Sequence, residues 1–211
     1  MLSELKRYSS IGNKPGILLL CNNILTQSKA TLDSVRTSCS FINGAEVNFN
    51  CGILAFESLN LISRDKIYCY TDEPFFKTLP KEKAITKLCE IVFTFLIEEG
   101  LVNIQLLRFN ESADLFYIPR QAFSLHSSVF RNLLISLNAI SPVQGEFRIA
   151  KEFDVFFDKL IVRVKRKLTL AQLQQKLIAE QELGEKGELF VLNFEKNRCP
   201  FCDADKSRIR Q

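Results

Sequence analysis

The stretch Leu61-Ile62-Ser63-Arg64-Asp65-Lys66-Ile67-Tyr68-Cys69-Tyr70 sets a polar Arg-Asp-Lys turn between two short alternating runs. Period-two alternation around a polar turn predicts a small β-hairpin. Working back from it, Phe49 to Leu61 has helical spacing through Ile53, Leu54, Phe56, Leu59 and Leu61. Before the turn-rich joint Phe41-Ile42-Asn43-Gly44-Ala45, the segment Lys14 to Phe41 is helical in two pieces divided near Thr26–Ala30. Its apolar positions are Ile17, Leu18, Leu20, Cys21, Ile24 and Leu25, then Leu32, Val35 and Cys39. Helix, helix, turn, helix and hairpin is the order of a winged helix-turn-helix unit.

Working forward, Pro74 and Pro80 punctuate the chain, and a second block opens with a helix from Lys81 to about Gly100, whose glycine suits a C-cap. Leu115-Phe116-Tyr117-Ile118 reads as a strand before Pro119. A helix over Ser124–Asn138 follows, with Val129, Phe130, Leu133, Leu134 and Leu137 on one face. Pro142 and Gly145 then turn the chain into Phe147-Arg148-Ile149, a wing strand. The second block repeats the logic of the first without sharing its sequence. The expected fold class is therefore α+β, mostly helical: tandem winged-helix-like units over 1–78 and 79–158, the second degenerate, followed by a helical segment over 159–211.

Phe153 to Val164 is compatible with helix or strand and runs into Lys159-Leu-Ile-Val-Arg-Val-Lys-Arg-Lys167, five basic residues and no acid. Thr169-Leu170-Ala171-Gln172 is a capping box, so a helix should run on through Leu173 and Leu177. Gly184 and Gly187 are expected to break it once, after which Leu189, Val191, Leu192 and Phe194 restore an apolar face, making a helical hairpin.

The 211 residues are 46% hydrophobic and 25% charged, with mean hydropathy +0.03, which excludes disorder and collagen-like repeats. The net charge of +4 resides late: residues 151–211 hold 13 of the 28 basic side chains and 10 of the 24 acidic ones. A pI near 8.7 leaves nucleic-acid binding to be decided by local placement. The seven-residue apolar run Ile91–Ile97 lies between Glu90 and Glu98, far short of the ~20 residues that cross a bilayer. Met1-Leu-Ser-Glu-Leu-Lys-Arg lacks the pattern of a secretory signal. Of the seven cysteines, Cys21, Cys39, Cys51, Cys69 and Cys89 sit singly among apolar residues, as buried thiols do in a reducing compartment. A cytoplasmic location without membrane contact is the expectation.

A catalytic triad needs a base, and the sole histidine, His126, reads as a polar residue in the first turn of its helix rather than as that base. Neither a P-loop nor a dinucleotide fingerprint occurs. Cys199-Pro-Phe-Cys202 has zinc-knuckle spacing, but a structural zinc takes four ligands, so Zn²⁺ is not expected from these two alone. Asn48–Leu61, the helix that the first unit would present to a groove, has no Lys or Arg and contains Glu57, which suits a structural or protein-contact role better than a phosphate contact. Ser124–Asn138 is better equipped, with Ser127, Ser128, Arg131 and Asn132, Arg120 just before it and Arg148 on the wing. Arg163, Lys165, Arg166 and Lys167 in the basic run complete the candidate DNA-contacting set, although a solvated linker has the same composition.

The segment Lys167 to Arg198 carries a capped helix, then Leu183, Gly184, Gly187, Glu188, Phe190, Val191, Phe194 and Glu195. This pattern resembles the first helices of the nuclease-like domain named for the C-terminus of the plant NO VEIN protein. Such domains occur in prokaryotic restriction and phage-defence proteins and belong with PD-(D/E)xK nucleases; winged helices commonly precede them. The resemblance covers some 30 residues, and Cys199–Cys202 departs from its pattern. It implies Glu188 as the one candidate catalytic acid, a sheet bearing the remaining acids and lysine beyond this chain, and Mg²⁺ only in a completed domain. From this follows the expected function: a non-catalytic, DNA-associated targeting or regulatory portion of a defence nuclease, working with DNA or with a protein partner in a multi-subunit system. The alternatives are a winged-helix transcription regulator and a protein-interaction adaptor.

Overall fold

The computed structural model describes residues 2–40, 43–166 and 170–198. The fold is α+β and predominantly helical, with two small antiparallel sheets. The chain divides into two units at Asp158 and Lys159.

In the first unit, a short α1 (Leu2–Leu5) precedes α2 (Lys14–Ile24), β1 (Lys29–Thr31), α3 (Leu32–Ser40), α4 (Phe49–Ser58), β2 (Ser63–Arg64) and β3 (Tyr68–Tyr70). The hairpin of the Leu61–Tyr70 stretch is present as β2 and β3, closed by Asp65, whose carboxylate accepts from the amides of Ile67 and Tyr68. The break near Thr26–Ala30 holds a strand, β1, which the helical spacing on either side does not reveal. It pairs with β3, giving the sheet order β1-β3-β2. Three residues are too few for alternation to stand out, and the strand is defined by its partner.

α5 (Phe75–Thr78) leads to α6 (Lys81–Glu98), which Gly100 terminates with φ +64° as a glycine C-cap requires. Then come β4 (Arg108–Asn110), β5 (Leu115–Pro119), two 3-10 turns, α7 (Ser128–Ser136), β6 (Ile140–Val143) and β7 (Glu146–Ile149). The second sheet has the order β4-β5-β7-β6. Setting β4 aside, both sheets follow one path: the strand ahead of the helices pairs with the last strand, and the middle strand takes the edge. The helix expected over Ser124–Asn138 begins four residues later, because Leu125–Ser127 is a 3-10 turn.

Residues 151–158 are helical: a 3-10 turn over Lys151–Phe153 continues into α8 (Asp154–Arg166). Within the first unit Phe93 of α6 packs edge-on against Phe153 and Phe157, at 5.4 and 5.0 Å between ring centroids, and Phe95 lies 4.8 Å from Phe130 of α7. Edge-to-face geometry adds to the area these rings bury.

In the second unit α9 (Leu170–Arg198) runs without interruption. The break expected at Gly184 and Gly187 does not occur: each glycine weakens a helix by about 1 kcal/mol relative to alanine, and neither ends one by itself. Thr169 of the capping box lies outside the described residues. No described helix is long and apolar enough to cross a membrane.

Candidate nucleic-acid interface

The first helix that could enter a groove, α4, is a core element. Cys51 through Phe56 and Ser58 are buried, and Asn50 is its one exposed residue, so it offers a groove very little surface. Gly52 shows how closely it is held: a Cβ there would stand 2.3 Å from Leu20 Cδ2 and 3.3 Å from Ile11 Cγ2. Its lack of basic residues therefore agrees with its place in the core.

The second, α7, is also engaged. Val129, Phe130, Leu133 and Leu134 face the core. On the polar side Asn132 Nδ2 donates to the Ser9 carbonyl at 2.8 Å, and Ser136 Oγ donates to the Gly12 carbonyl at 3.2 Å. Ser9–Gly12 thus lies along α7 as a strap. The strap is itself anchored: Asn48 N donates to the Ile11 carbonyl at 2.6 Å and Asn13 N to the Glu46 carbonyl at 3.0 Å. Ser128 and Arg131 are half-buried, and no residue of α7 is fully exposed.

Two of the candidate contact residues have partners within the chain. Ser127 is completely buried and its hydroxyl donates to the Ser124 carbonyl at 2.7 Å, so it serves the turn that begins α7. Asn132, half-exposed, gives one N–H to Ser9. Helical spacing sets Asn132 opposite the apolar face but cannot show that the N-terminal segment, more than a hundred residues away, lies there.

Arg120, Arg131 and Arg148 do not form one surface. Arg148 alternates with Phe147 and Ile149, which are buried, so it faces away from the core that holds α7. Arg120 follows β5 with its guanidinium 5.6 Å from the centre of the Phe147 ring. On the outer face, register aligns Arg108 with Tyr117, Tyr117 with Arg148 and Arg148 with Ser141, one residue from each strand. Arg108, Asn110 and Tyr117 were not picked out by the sequence reading. Their signal was the alternation of Tyr117 with Phe116 and Ile118, read only as a strand.

Arg163, Lys165 and Arg166 lie on α8, whose side chains beyond Leu160 are outside the described residues, as is Lys167. Cys199 and Cys202 also lie outside them. His126 is exposed in its 3-10 turn and makes no side-chain hydrogen bond among the described residues. Glu188 is exposed on α9. Holding Mg²⁺ for hydrolysis takes several carboxylates, and among the described residues no three His, Cys, Asp or Glu side chains come together in such a group. The donor set around Glu188 does not fit a metal centre by itself.

The thiols are set apart from chemistry by burial. Desolvation raises the pKa of Cys51 and Cys89 to about 12, and that of Cys21 further, with Cys39 and Cys69 also raised. A buried thiol held in its neutral form is a poor nucleophile and a poor metal ligand.

No family model, curated protein or solved structure matches this chain.

Proposed function

We propose that this chain is the non-catalytic regulatory portion of a restriction-type or phage-defence nuclease, and that α9 joins it to the nuclease-like domain. The observation carrying this reading is the apolar exposure of α9. Leu183 and Phe190 are each 73% exposed, and Leu189, Val191, Leu192 and Phe194 lie between 42 and 59%. Apolar side chains clustered in this way along one helix mark an interaction surface, and burying each contributes roughly 1.5–3 kcal/mol. Leu183, Phe190, Val191 and Phe194 of this set belong to the pattern that resembles the first helices of NO VEIN-type nuclease domains, which continue into a sheet.

The two halves of the first unit are read as winged helices, the second with an added edge strand. The shared strand path, β1-β3-β2 and β5-β7-β6, supports this. Their helices α4 and α7 then act as scaffold, since one is buried and the other strapped. That favours targeting by contact over groove reading by α7, and it places the transcription-regulator reading last. An adaptor docking through α9 onto a different protein remains the second reading, favoured by the same exposed side chains.

The test pairs the purified chain with a separately produced NO VEIN-type nuclease domain. A stable complex is expected, weakened at least tenfold by Leu183→Ser with Phe190→Ser, and the chain alone should leave DNA intact in Mg²⁺. Cleavage by the chain alone, or a complex indifferent to the two substitutions, overturns the proposal. Failure to bind the nuclease domain while capturing another protein through the same residues selects the adaptor.

A further inference from the structure

We infer that the outer face of the four-stranded sheet is a binding site for single-stranded nucleic acid, independent of α9 and of both groove-type helices. The row Arg108–Tyr117–Arg148–Ser141 crosses all four strands, a span of about 14 Å at roughly 4.8 Å per strand. Phe116, Ile118, Phe147 and Ile149 are buried on the other face, so the row faces away from the core. Arg108 and Tyr117 of the row line a groove of about 670 Å³ with Asn110, Glu111, Gln144 and Glu146 among others, and Arg148 stands beside Tyr117 on the next strand.

An aromatic ring at the middle of a sheet, with a guanidinium on the strand to each side, matches what single strands require. An unpaired base stacks on the ring, and the flanking cations meet phosphates. Asn110 and Gln144 bring amides that donate to and accept from base edges. A duplex offers no free base face, and its grooves call for an inserted helix or ribbon that this surface does not project.

The charges at this face balance, Arg108 and Arg148 against Glu111 and Glu146, so it is the placement of the two guanidiniums on either side of Tyr117 that meets phosphate. Arg108, its side chain 71% exposed, has Glu146 at 3.7 Å, an ion pair loose enough to yield to phosphate. Arg148 is exposed and has no ion pair among the described residues. Glu111 stands at one end of the groove, next to Asn110. The type I′-like turn at Gln144 and Gly145, with φ of +41° and +90°, fixes the hairpin that forms the other end.

The test is fluorescence anisotropy of the full chain with labelled oligothymidylate and oligouridylate at low salt, alongside a duplex of equal length. Salt-sensitive binding of the single strands is expected, with the duplex bound less well. Arg148→Ala and Tyr117→Ala should each weaken it about tenfold, while Tyr117→Phe keeps the ring and the binding. Arg148 is exposed, so its variant folds even if Tyr117→Ala does not. A preference for uridylate over thymidylate would identify RNA as the source.

No binding of either single strand, or binding unchanged by Arg148→Ala, overturns the inference. So does binding abolished by replacing Arg163, Lys165, Arg166 and Lys167 with Gln while Arg148→Ala has no effect, since the basic run would then be the site. Equal competition by an acidic peptide also overturns it, because a stacked base is then not required. Because Phe190→Ser leaves this face intact, loss of nuclease-domain docking and loss of strand binding are separable.

Discussion

Asn13 and Glu46 hold each other by their backbones and one side chain. Asn13 N donates to the Glu46 carbonyl at 3.0 Å, and Glu46 N donates to Asn13 Oδ1 at 3.1 Å. The same Oδ1 accepts from Gly16 N at 2.9 Å as the N-cap of α2, and Nδ2 donates to the Gly44 carbonyl at 2.9 Å. One side chain therefore starts a helix and ties the α3–α4 joint to it. Asn13→Ala should destabilise the fold by about 3 kcal/mol, the sum of a lost cap and two lost tertiary hydrogen bonds. Asn13→Asp should recover the cap but not the bond to Gly44. Urea unfolding with both variants checks this.

The same close approach forbids larger residues nearby. A Cβ on Gly16 would stand 2.1 Å from the Glu46 carbonyl oxygen, a backbone atom with nowhere to move. On Gly52 it would meet the end of the Leu20 side chain, which can turn away. Gly16→Ala should thus cost more than Gly52→Ala, for which overpacking predicts about 1–3 kcal/mol. The order of the two midpoints in denaturant is the measurement.

Asp65 gives the hairpin a dependence on pH. Its carboxylate accepts from Tyr68 N, Ile67 N and the Tyr70 hydroxyl, and these bonds lower its pKa. A group whose folded pKa is depressed contributes stability that is complete above its unfolded value, near 3.9, and lost as pH falls through the folded value. The amide resonances of Ile67 and Tyr68 should accordingly hold steady from neutral pH down to mild acid and shift only below it. In Asp65→Ala they should not respond in that range.

Burial predicts how the thiols react. In a Cys199→Ser, Cys202→Ser background the native protein should react slowly with a disulfide reagent, since Cys21, Cys39, Cys51, Cys69 and Cys89 are buried. All five should react promptly in denaturant. Fast reaction of any of them in the folded protein would contradict the core described above.

Local chemistry reaches a long way here. Alternation around Arg64-Asp65-Lys66, helical spacing from Ile17 to Leu59 and from Lys81 to Gly100, and Gly145 beside Phe147 are short-range patterns, and the hairpins and main helices form where those patterns fall. β1 and β4, three residues each, escaped because so short a strand is fixed by its neighbour across the sheet. The candidate site was legible only in part. Arg148 stands out in the sequence as a wing arginine, whereas Arg108 and Tyr117 are separated from it along the chain and align with it only through register.

What the sequence determined by itself, then, is the α+β class and the order of its main helices and hairpins, since these depend on contacts between residues a few positions apart. The tertiary structure decided which polar side chains face water. Ser127 and Asn132 have the composition of contact residues, but packing put one beneath its helix and the other against Ser9. A side chain's availability depends on what the rest of the chain lays over it, and helical periodicity holds no information about a strap more than a hundred residues away.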